Sequence, residues 1–350
     1  MKTGKTHRIV LATLATLVAV ILAACGAAAP TAPAAPAAEA PAAPAAPAAG
    51  GLTEIRLDYA YYNPSSLVLR RFGWLEEELK AEGVKVTWVL SAGSNKANEF
   101  LRSDAVDFGS TAGAAALLAK ANGSPIQTVY IFSKPEWTAL VVAKDSPITE
   151  VAQLKGKKIA VTKGTDPYFF LLRSLRLNGL SAADVEIVNL QHADGKLALE
   201  RGQVDAWAGL DPFMAQTELE QGSKLIYRNI DFNSYGFLNA RTAFLEQHPA
   251  YVEKVLANYE RARRWIQENP DEAAKILSEE AKLSLEVAKL ELAERTVLTS
   301  NPIPGEEHAA VLREIIPIFK DEQQVKEGTD VEAALNSLFA PQFIQKLAQK

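Results

Sequence analysis

A strand, a polar turn and a helix follow one another repeatedly from Leu52 onward, and this order constrains the fold most. In the first unit, Glu54 to Ala60 alternates apolar and polar residues as a half-buried strand does. An apolar stripe with helical spacing then runs from Val68 to Leu79 and ends before Gly83. Strands that alternate with helices at this spacing predict mainly parallel sheets covered by helices on both faces.

Two such series and a helical end divide the globular part. The first series runs through a predicted strand at Ala139 to Ala143, and the second follows Ser146-Pro147 and ends near Tyr227. From Thr242 onward the pattern is helical almost throughout. The predicted fold class is therefore α/β, with two α/β series followed by a helical C-terminal segment. The sequence has no P-loop, glycine-rich dinucleotide motif, repeat period or zinc-ligand spacing, and no metal or cofactor is predicted.

The first 51 residues have a different composition. Lys2, Lys5 and Arg8 precede an apolar run from Ile9 to Ala24, which is typical of a secretion signal. The alternative is a transmembrane anchor, but this run is shorter than the roughly 20 residues that span a bilayer. An Ala/Pro-rich segment follows as far as Gly51, and its prolines predict an extended linker without secondary structure.

Net charge and cysteine content argue against two properties, nucleic-acid binding and an internal disulfide. Removal of the three N-terminal cations changes the formal net charge from −5 to −8, with both signs interspersed along the chain. This argues against nucleic-acid binding. Cys25 is the only cysteine, so no disulfide forms within the chain.

Leu22-Ala23-Ala24-Cys25 resembles the lipobox of bacterial lipoproteins. In that family the bond before the cysteine is cut and the thiol is diacylated. The resemblance implies a signal peptide at 1–24, lipidation at Cys25 and a linker at 25–51. Two acyl chains give stable membrane anchoring, so we expect an extracytoplasmic protein on a lipid anchor, periplasmic or on the outer face of the cell membrane.

Several phrases of the globular part resemble the solute-binding proteins of ABC importers for aliphatic sulfonates, taurine and nitrate. The likeness runs from about Ile55 to about Leu338. The phrases are Val106-Asp107-Phe108-Gly109-Ser110-Thr111, Ala139 to Ile148, Val151 to Ala160, Lys163-Gly164-Thr165, Gly202 to Trp207 and Asp211-Pro212-Phe213.

This resemblance implies a type II periplasmic-binding-protein fold whose two lobes close at a hinge. Lobe I would comprise 52–142 and 238–350, and lobe II would comprise 143–237. It implies a monomeric, non-enzymatic receptor with a small anionic ligand, foremost an alkanesulfonate or taurine, and an ABC permease and its ATPase as partners. The alternatives are a nitrate, bicarbonate or thiamine-pyrimidine-precursor receptor, or an enzyme on the same scaffold.

Sulfonate and nitrate resist protonation, so their site needs hydrogen-bond donors, and helix N-termini supply them. Three strand-to-helix turns are rich in small or hydroxylated residues, and such turns lie at the carboxyl ends of parallel strands, where ligands bind. The predicted ligand-binding residues are Tyr61, Asn63, Ser65, Ser110, Thr111, Ala112, Gly113, Trp137, Lys163, Gly164, Thr165, Tyr168, Trp207 and Asp211.

Structural roles compete with ligand binding at several of these positions. Trp207 is either an apolar wall for an alkyl tail or a core residue, and Asp211 is either a partner for an ammonium group or a helix N-cap. Thr111 and Gly113 could serve helix capping alone, and Tyr168 could belong to the core. Lys163 could be solvated at the rim. The likeness is imperfect because relatives show Thr-Gly-Asp where this chain has Thr111-Ala112-Gly113. His192 is expected at the surface or in a cap.

Overall fold

The computed structural model describes residues 51–348, and the predictions for the signal peptide, Cys25 and most of the linker lie outside that range. The strands are β1 (Glu54–Tyr59), β2 (Lys85–Leu90), β3 (Phe108–Ala112), β4 (Ile126–Pro135), β5 (Ala139–Val142), β6 (Lys158–Val161), β7 (Glu186–Asn189), β8 (Ala206–Ala208), β9 (Lys224–Arg228), β10 (Gly236–Arg241) and β11 (Thr296–Val297). The helices are α1 (Pro64–Phe72), α2 (Trp74–Lys80), α3 (Ser94–Arg102), α4 (Gly113–Ala121), α5 (Asp166–Leu177), α6 (His192–Glu200), α7 (Phe213–Gln221), α8 (Thr242–Gln247), α9 (Pro249–Glu268), α10 (Pro270–Ala281), α11 (Leu285–Glu294), α12 (Glu306–Arg313), α13 (Ile316–Asp321), α14 (Val331–Asn336) and α15 (Gln342–Ala348).

The strands form two mixed sheets, in the orders β11-β4-β10-β3-β1-β2 and β7-β6-β8-β5-β9. In the first sheet β1 pairs in parallel with β2 and β3, and in the second β6 pairs in parallel with β7 and β8. The strands next to the chain crossovers, β10 and β5, pair antiparallel with their neighbours. The prediction of mainly parallel sheets is therefore wrong. A strand that enters a sheet directly from the other sheet is not bound by the right-handed βαβ connection that keeps neighbours parallel.

The chain changes sheets twice, between Pro135 and Ala139 and between Arg228 and Gly236. Strand β5 precedes the predicted lobe boundary at 142/143 but hydrogen-bonds within the second sheet. The division of residues between the two lobes stays a prediction, since sheet membership alone does not assign the helices.

Two elements differ from the sequence pattern. The predicted helix from Val68 to Leu79 is two helices, because Gly73 adopts a left-handed φ of 62° and ends α1. Strand β3 extends through Thr111 and Ala112, which the pattern places in a turn. Pairing with β10 accounts for the extension, as Gly236 and Ala112 are register partners.

The helical C-terminal segment packs mainly on the first sheet. The predicted stripe of α9 is buried at Val252, Leu256 and Tyr259, in one core with β1 residues and with Ile344 of α15. A second core surrounds α5 and reaches Phe319 of α13. No helix between residues 51 and 348 is both long and apolar enough to cross a bilayer.

Candidate functional site

A small cavity lies between elements of the two sheets. Its volume is about 10 Å³, which admits about one water molecule, so the cleft is closed in this conformation. The first sheet contributes through the loop after β1, the start of α3 and the end of β3, and the second through the start of α5 and the residues after β8. The lining residues are Tyr62, Ser94, Ala112, Trp137, Thr165, Asp166, Pro167 and Leu210.

Asp166, the first residue of α5, joins that helix to both crossover segments. Its carboxylate accepts hydrogen bonds from Trp137 Nε1 at 2.8 Å and from the Ser234 backbone N–H at 2.9 Å. The Ser234 hydroxyl also donates to it. Burial raises the pKa of Asp166, and these hydrogen bonds oppose the shift. The donors that face the cavity from the crossovers are thus engaged by a carboxylate of the chain itself.

The N-terminus of α4 is also engaged within the protein. Gly113 N–H donates to Ser234 O at 3.0 Å, and Ala114 N–H donates to Ser234 Oγ at 2.8 Å. Ala112 N–H donates to Ser94 Oγ at 2.9 Å. Two of the turn residues predicted to bind an anion, Ala112 and Gly113, therefore have their N–H groups paired in the closed cleft.

Ser110 and Asn63 belong to a hydrogen-bond network that lies behind the residues lining the cavity. Ser110 donates from its N–H and its hydroxyl to the buried Asp58 carboxylate, and its hydroxyl accepts from Asn63 Nδ2 at 2.8 Å. Tyr62 Oη donates to Ser110 O at 2.9 Å. Burial raises the pKa of Asp58 to about 6, although the bonds from Ser110 favour the charged form. This network holds the Tyr62 ring at the cavity.

Other predicted residues lie around the cleft without lining the cavity. Thr111 is a strand residue whose hydroxyl accepts from Asn239 Nδ2 at 2.8 Å. Lys163 is exposed, and Tyr168 is buried in the α5 core against Phe169. The remaining three are Tyr61, half-buried against the core of the first lobe, Ser65, buried in the first turn of α1, and Gly164, half-buried next to Thr165.

Trp207 and Asp211 are buried and do not line the cavity. Trp207 is fully buried in a core with Met214. Asp211 Oδ1 accepts the Ala215 N–H of α7 at 2.8 Å and pairs with Arg295 at 3.2 Å. Burial raises the pKa of Asp211 to about 6, and the Arg295 guanidinium opposes this shift. The residue of this segment that reaches the cavity is Leu210.

The structure thus brings three predicted residues, Ala112, Trp137 and Thr165, together around one cavity. Sequence reasoning missed five others. Ser94 and Asp166 each stand where a strand-to-helix turn meets its helix, so the argument that selected Thr165 would have found them. Tyr62, Pro167 and Leu210 carry no such signal. No group of metal-ligating side chains occurs within the described range.

Known proteins are similar to this chain in both sequence and fold. The "NMT1/THI5 like" family model matches residues 76–273. The "putative aliphatic sulfonates-binding protein" of Escherichia coli K12 is 30% identical over 249 residues, which are 71% of this chain and 78% of that protein.

Solved structures agree with these sequence matches. The alkanesulfonate-binding protein SsuA of Xanthomonas axonopodis pv. citri, bound to MOPS, superposes with a TM-score of 0.75 at 24% identity, covering 82% of this chain and 99% of that one. The periplasmic aliphatic sulphonate-binding protein SsuA of Escherichia coli gives 0.71 at 27% identity, covering 83% and 92%. The expected periplasmic-binding-protein fold is confirmed, and the chain belongs to the NMT1/THI5-like family.

Proposed function

We propose that this chain is an extracytoplasmic receptor of an ABC importer that binds an aliphatic sulfonate and delivers it to the permease without chemical change. The observation that carries the proposal is the cavity shared by both sheets, with Trp137 and the first residues of α3 and α5 around it. The names of the sulfonate-binding relatives support the ligand class. They also support a location outside the cytoplasm.

Binding requires the lobes to separate, because a cavity of about 10 Å³ is far smaller than a sulfonate. The sulfonate oxygens then take donors at the starts of α4 and α5, and the carbon chain packs on Tyr62 and Leu210. In this conformation Ser234 holds two donors at the start of α4, the N–H groups of Gly113 and Ala114, and Asp166 holds the N–H groups of Trp137 and Ser234. A ligand favours a closed form only through contacts that the open form lacks, so it must bridge both lobes. Ala112, Trp137 and Thr165 are the predicted residues best placed for this role.

The membrane attachment is part of the same proposal. Diacylation of Cys25 would hold the receptor at the membrane. The Ala/Pro-rich segment from Gly26 to Gly51 has 26 residues, and an extended chain of that length reaches on the order of 80 Å. A monomer on such a tether meets its permease within the plane of the membrane.

Calorimetric titration of the full-length protein in detergent tests the ligand class. The panel is ethanesulfonate, taurine, nitrate, bicarbonate and a hydroxymethylpyrimidine. We expect saturable binding of at least one sulfonate, with the ligand recovered unchanged. Binding of the pyrimidine or of nitrate with no response to any sulfonate would overturn the ligand class, and turnover of the bound compound would overturn the receptor role.

A further inference from the structure

Two buried hydrogen-bond acceptors from opposite lobes meet at Gly93. His192, the first residue of α6, is 1% exposed, and its Nδ1 lies 3.2 Å from Thr162 Oγ1. The Thr162 hydroxyl donates its one proton to Leu190 O at 2.7 Å. Nδ1 of His192 must therefore be the protonated nitrogen that donates to Thr162, and Nε2 carries a lone pair.

That lone pair has no partner among the described residues. Asn95 Oδ1, on α3 of the other lobe, is likewise buried without a hydrogen bond there. A Cβ placed on Gly93 would lie 2.9 Å from His192 Nε2 and 2.8 Å from Asn95 Oδ1, so both atoms pack against the same side of Gly93 and lie near each other. Burial lowers the pKa of His192 to about 3, which keeps the ring neutral and Nε2 an acceptor.

This acceptor pair adjoins the cavity. Ser94, which lines the cavity, stands between Gly93 and Asn95. On the other side, Thr162 contacts His192 through its hydroxyl and accepts the Thr165 hydroxyl through its carbonyl at 2.6 Å. Thr165 also lines the cavity. A ligand that extends from the cavity along this seam reaches His192 and Asn95.

We infer that His192 Nε2 and Asn95 Oδ1 accept hydrogen bonds from the end of the ligand remote from its sulfonate. The receptor therefore selects sulfonates that carry an ammonium or a hydroxyl group over plain alkanesulfonates. The inference rests on the proposed function. The physical reason is that buried acceptors lose water when the cleft closes, and only a ligand with a donor replaces those bonds. Two lone pairs also disfavour sulfonate oxygens at this point.

The test compares three ligands of similar size by calorimetry at pH 7: taurine, isethionate and propane-1-sulfonate. We expect taurine, isethionate or both to bind wild type at least about tenfold more tightly than propane-1-sulfonate, as for one well-formed hydrogen bond. His192→Leu should abolish this preference, because it weakens the binding of taurine and isethionate more than the binding of propane-1-sulfonate. His192→Gln retains an acceptor and should retain part of the preference.

Asn95→Ala should weaken the same preference. Its matched control is Asn98→Ala on the same helix: Asn98 Oδ1 is also buried without a hydrogen bond among the described residues, but Asn98 Nδ2 donates to Ala115 O at 3.0 Å. The control should keep the wild-type ligand ranking. If His192→Leu does not fold, as judged by circular dichroism, then His192→Gln and Asn95→Ala carry the comparison.

Equal affinity of wild type for all three ligands, or an equal loss for all three in His192→Leu, would overturn this inference and leave the proposed function intact. If no sulfonate binds, both this inference and the proposed function are wrong. A preference for taurine alone would identify the donor as ammonium, and a preference for isethionate as well would identify any donor as sufficient.

Discussion

Gly93 shows how one residue limits closure of the cleft. Its φ of 163° is extended backbone that any residue adopts, so a side chain there acts only through its volume. A Cβ would lie within 3.0 Å of the His192 ring and of Asn95 Oδ1, which is closer than real Cβ contacts. A substitution at Gly93 therefore opposes the approach of α6 to the start of α3, and it also requires the Asn95 side chain to shift.

We expect Gly93→Ala to reduce sulfonate affinity by about tenfold or more, because closure must displace His192 or Asn95. Small-angle scattering should show less compaction on ligand addition than in wild type. Gly305→Ala is the matched control: Gly305 also precedes a helix in extended conformation, and its nearest neighbour would lie 3.9 Å from the new Cβ. A Gly93→Ala protein that binds and compacts like wild type would show that these lobes do not meet at Gly93.

The buried His192 ring should also make stability depend on acid. Its pKa is lowered from 6.5 to about 3 in the folded state, so the unfolded chain binds the proton more readily below pH 6.5. This group therefore leaves the free energy of unfolding unchanged above pH 6.5 and lowers it as the pH falls from 6.5 towards 3. Between pH 7 and pH 4.5 the loss amounts to about 3 kcal/mol at most.

Urea unfolding of wild type and His192→Gln at pH 7 and pH 4.5 measures this loss. The variant should lose about 3 kcal/mol less than wild type on acidification. Asp58, whose pKa is raised to about 6, changes stability in the opposite sense over the same range, but it is common to both proteins and cancels in the difference. Identical acid sensitivity of the two proteins would contradict the burial of His192.

At the scale of elements, a buried ion cluster ties α7 to the end of α11. Arg295 is 2% exposed and pairs with Asp211 at 3.2 Å and with Glu218. Glu291 lies in the same cluster, and burial together with the Asp211 charge raises its pKa well above its usual value. The cluster holds a helix of the second lobe against the C-terminal helices, so its loss affects more than one element.

Arg295→Met should lower the free energy of unfolding by about 3–5 kcal/mol, because it leaves Asp211 buried without its cation. Replacing Asp211 by Asn in the same protein should recover part of that loss. Arg71→Met is the control, since Arg71 and Glu279 form a surface pair with both side chains about half exposed, and the change there should stay within about 1 kcal/mol. Equal effects of the two substitutions in urea unfolding would refute a structural role for the cluster.

Periodicity in the sequence was sufficient to predict most elements and their order, two α/β series followed by helices. It predicted β1, β6, α9 and the helical C-terminal segment, since each has a regular pattern of burial. It could not predict the break at Gly73 or the last residues of β3, because a left-handed glycine and a partner strand far along the chain leave no local pattern. The antiparallel strand pairs in the two sheets could not be predicted for the same reason, because strand direction depends on where the chain crosses between the sheets.

The candidate site was less predictable than the fold. Thr165 and Ala112 were found because turns after strands point to the cleft, and Trp137 was found by residue type. Trp207 was placed in the core by Gly195 and Gly209, whose small size lets the indole pack against their backbones. His192 was expected at the surface or in a cap because an isolated histidine carries no periodic signal, whereas the structure places it at the first position of α6 and buries it.

At the scale of the whole molecule, the lipid anchor sets where the receptor works. Cys25→Ser should move the protein from the membrane fraction to the soluble fraction, because two acyl chains hold a protein far more firmly than weak surface contacts do. Cell fractionation and immunoblotting measure this distribution, with ligand affinity of the released protein unchanged as the control. An unaltered membrane fraction would show that the apolar segment at 9–24 is retained as the anchor.

His192 and Asn95 lie next to the outer edge strands of the two sheets, and this position affects how fast the ligand dissociates. Gly93 follows β2, three strands from the crossover strand β10, and His192 follows β7, three strands from β5. At about 4.8 Å per strand, each lies on a lever arm of about 14 Å from the crossovers, whereas Asp166 bonds to the crossover segments directly. Rotation of the lobes displaces the outer edges most. A ligand that contacts only residues near the pivot therefore gains no bond at those edges, whereas a ligand that reaches both edges gains contacts that the open form lacks and dissociates more slowly.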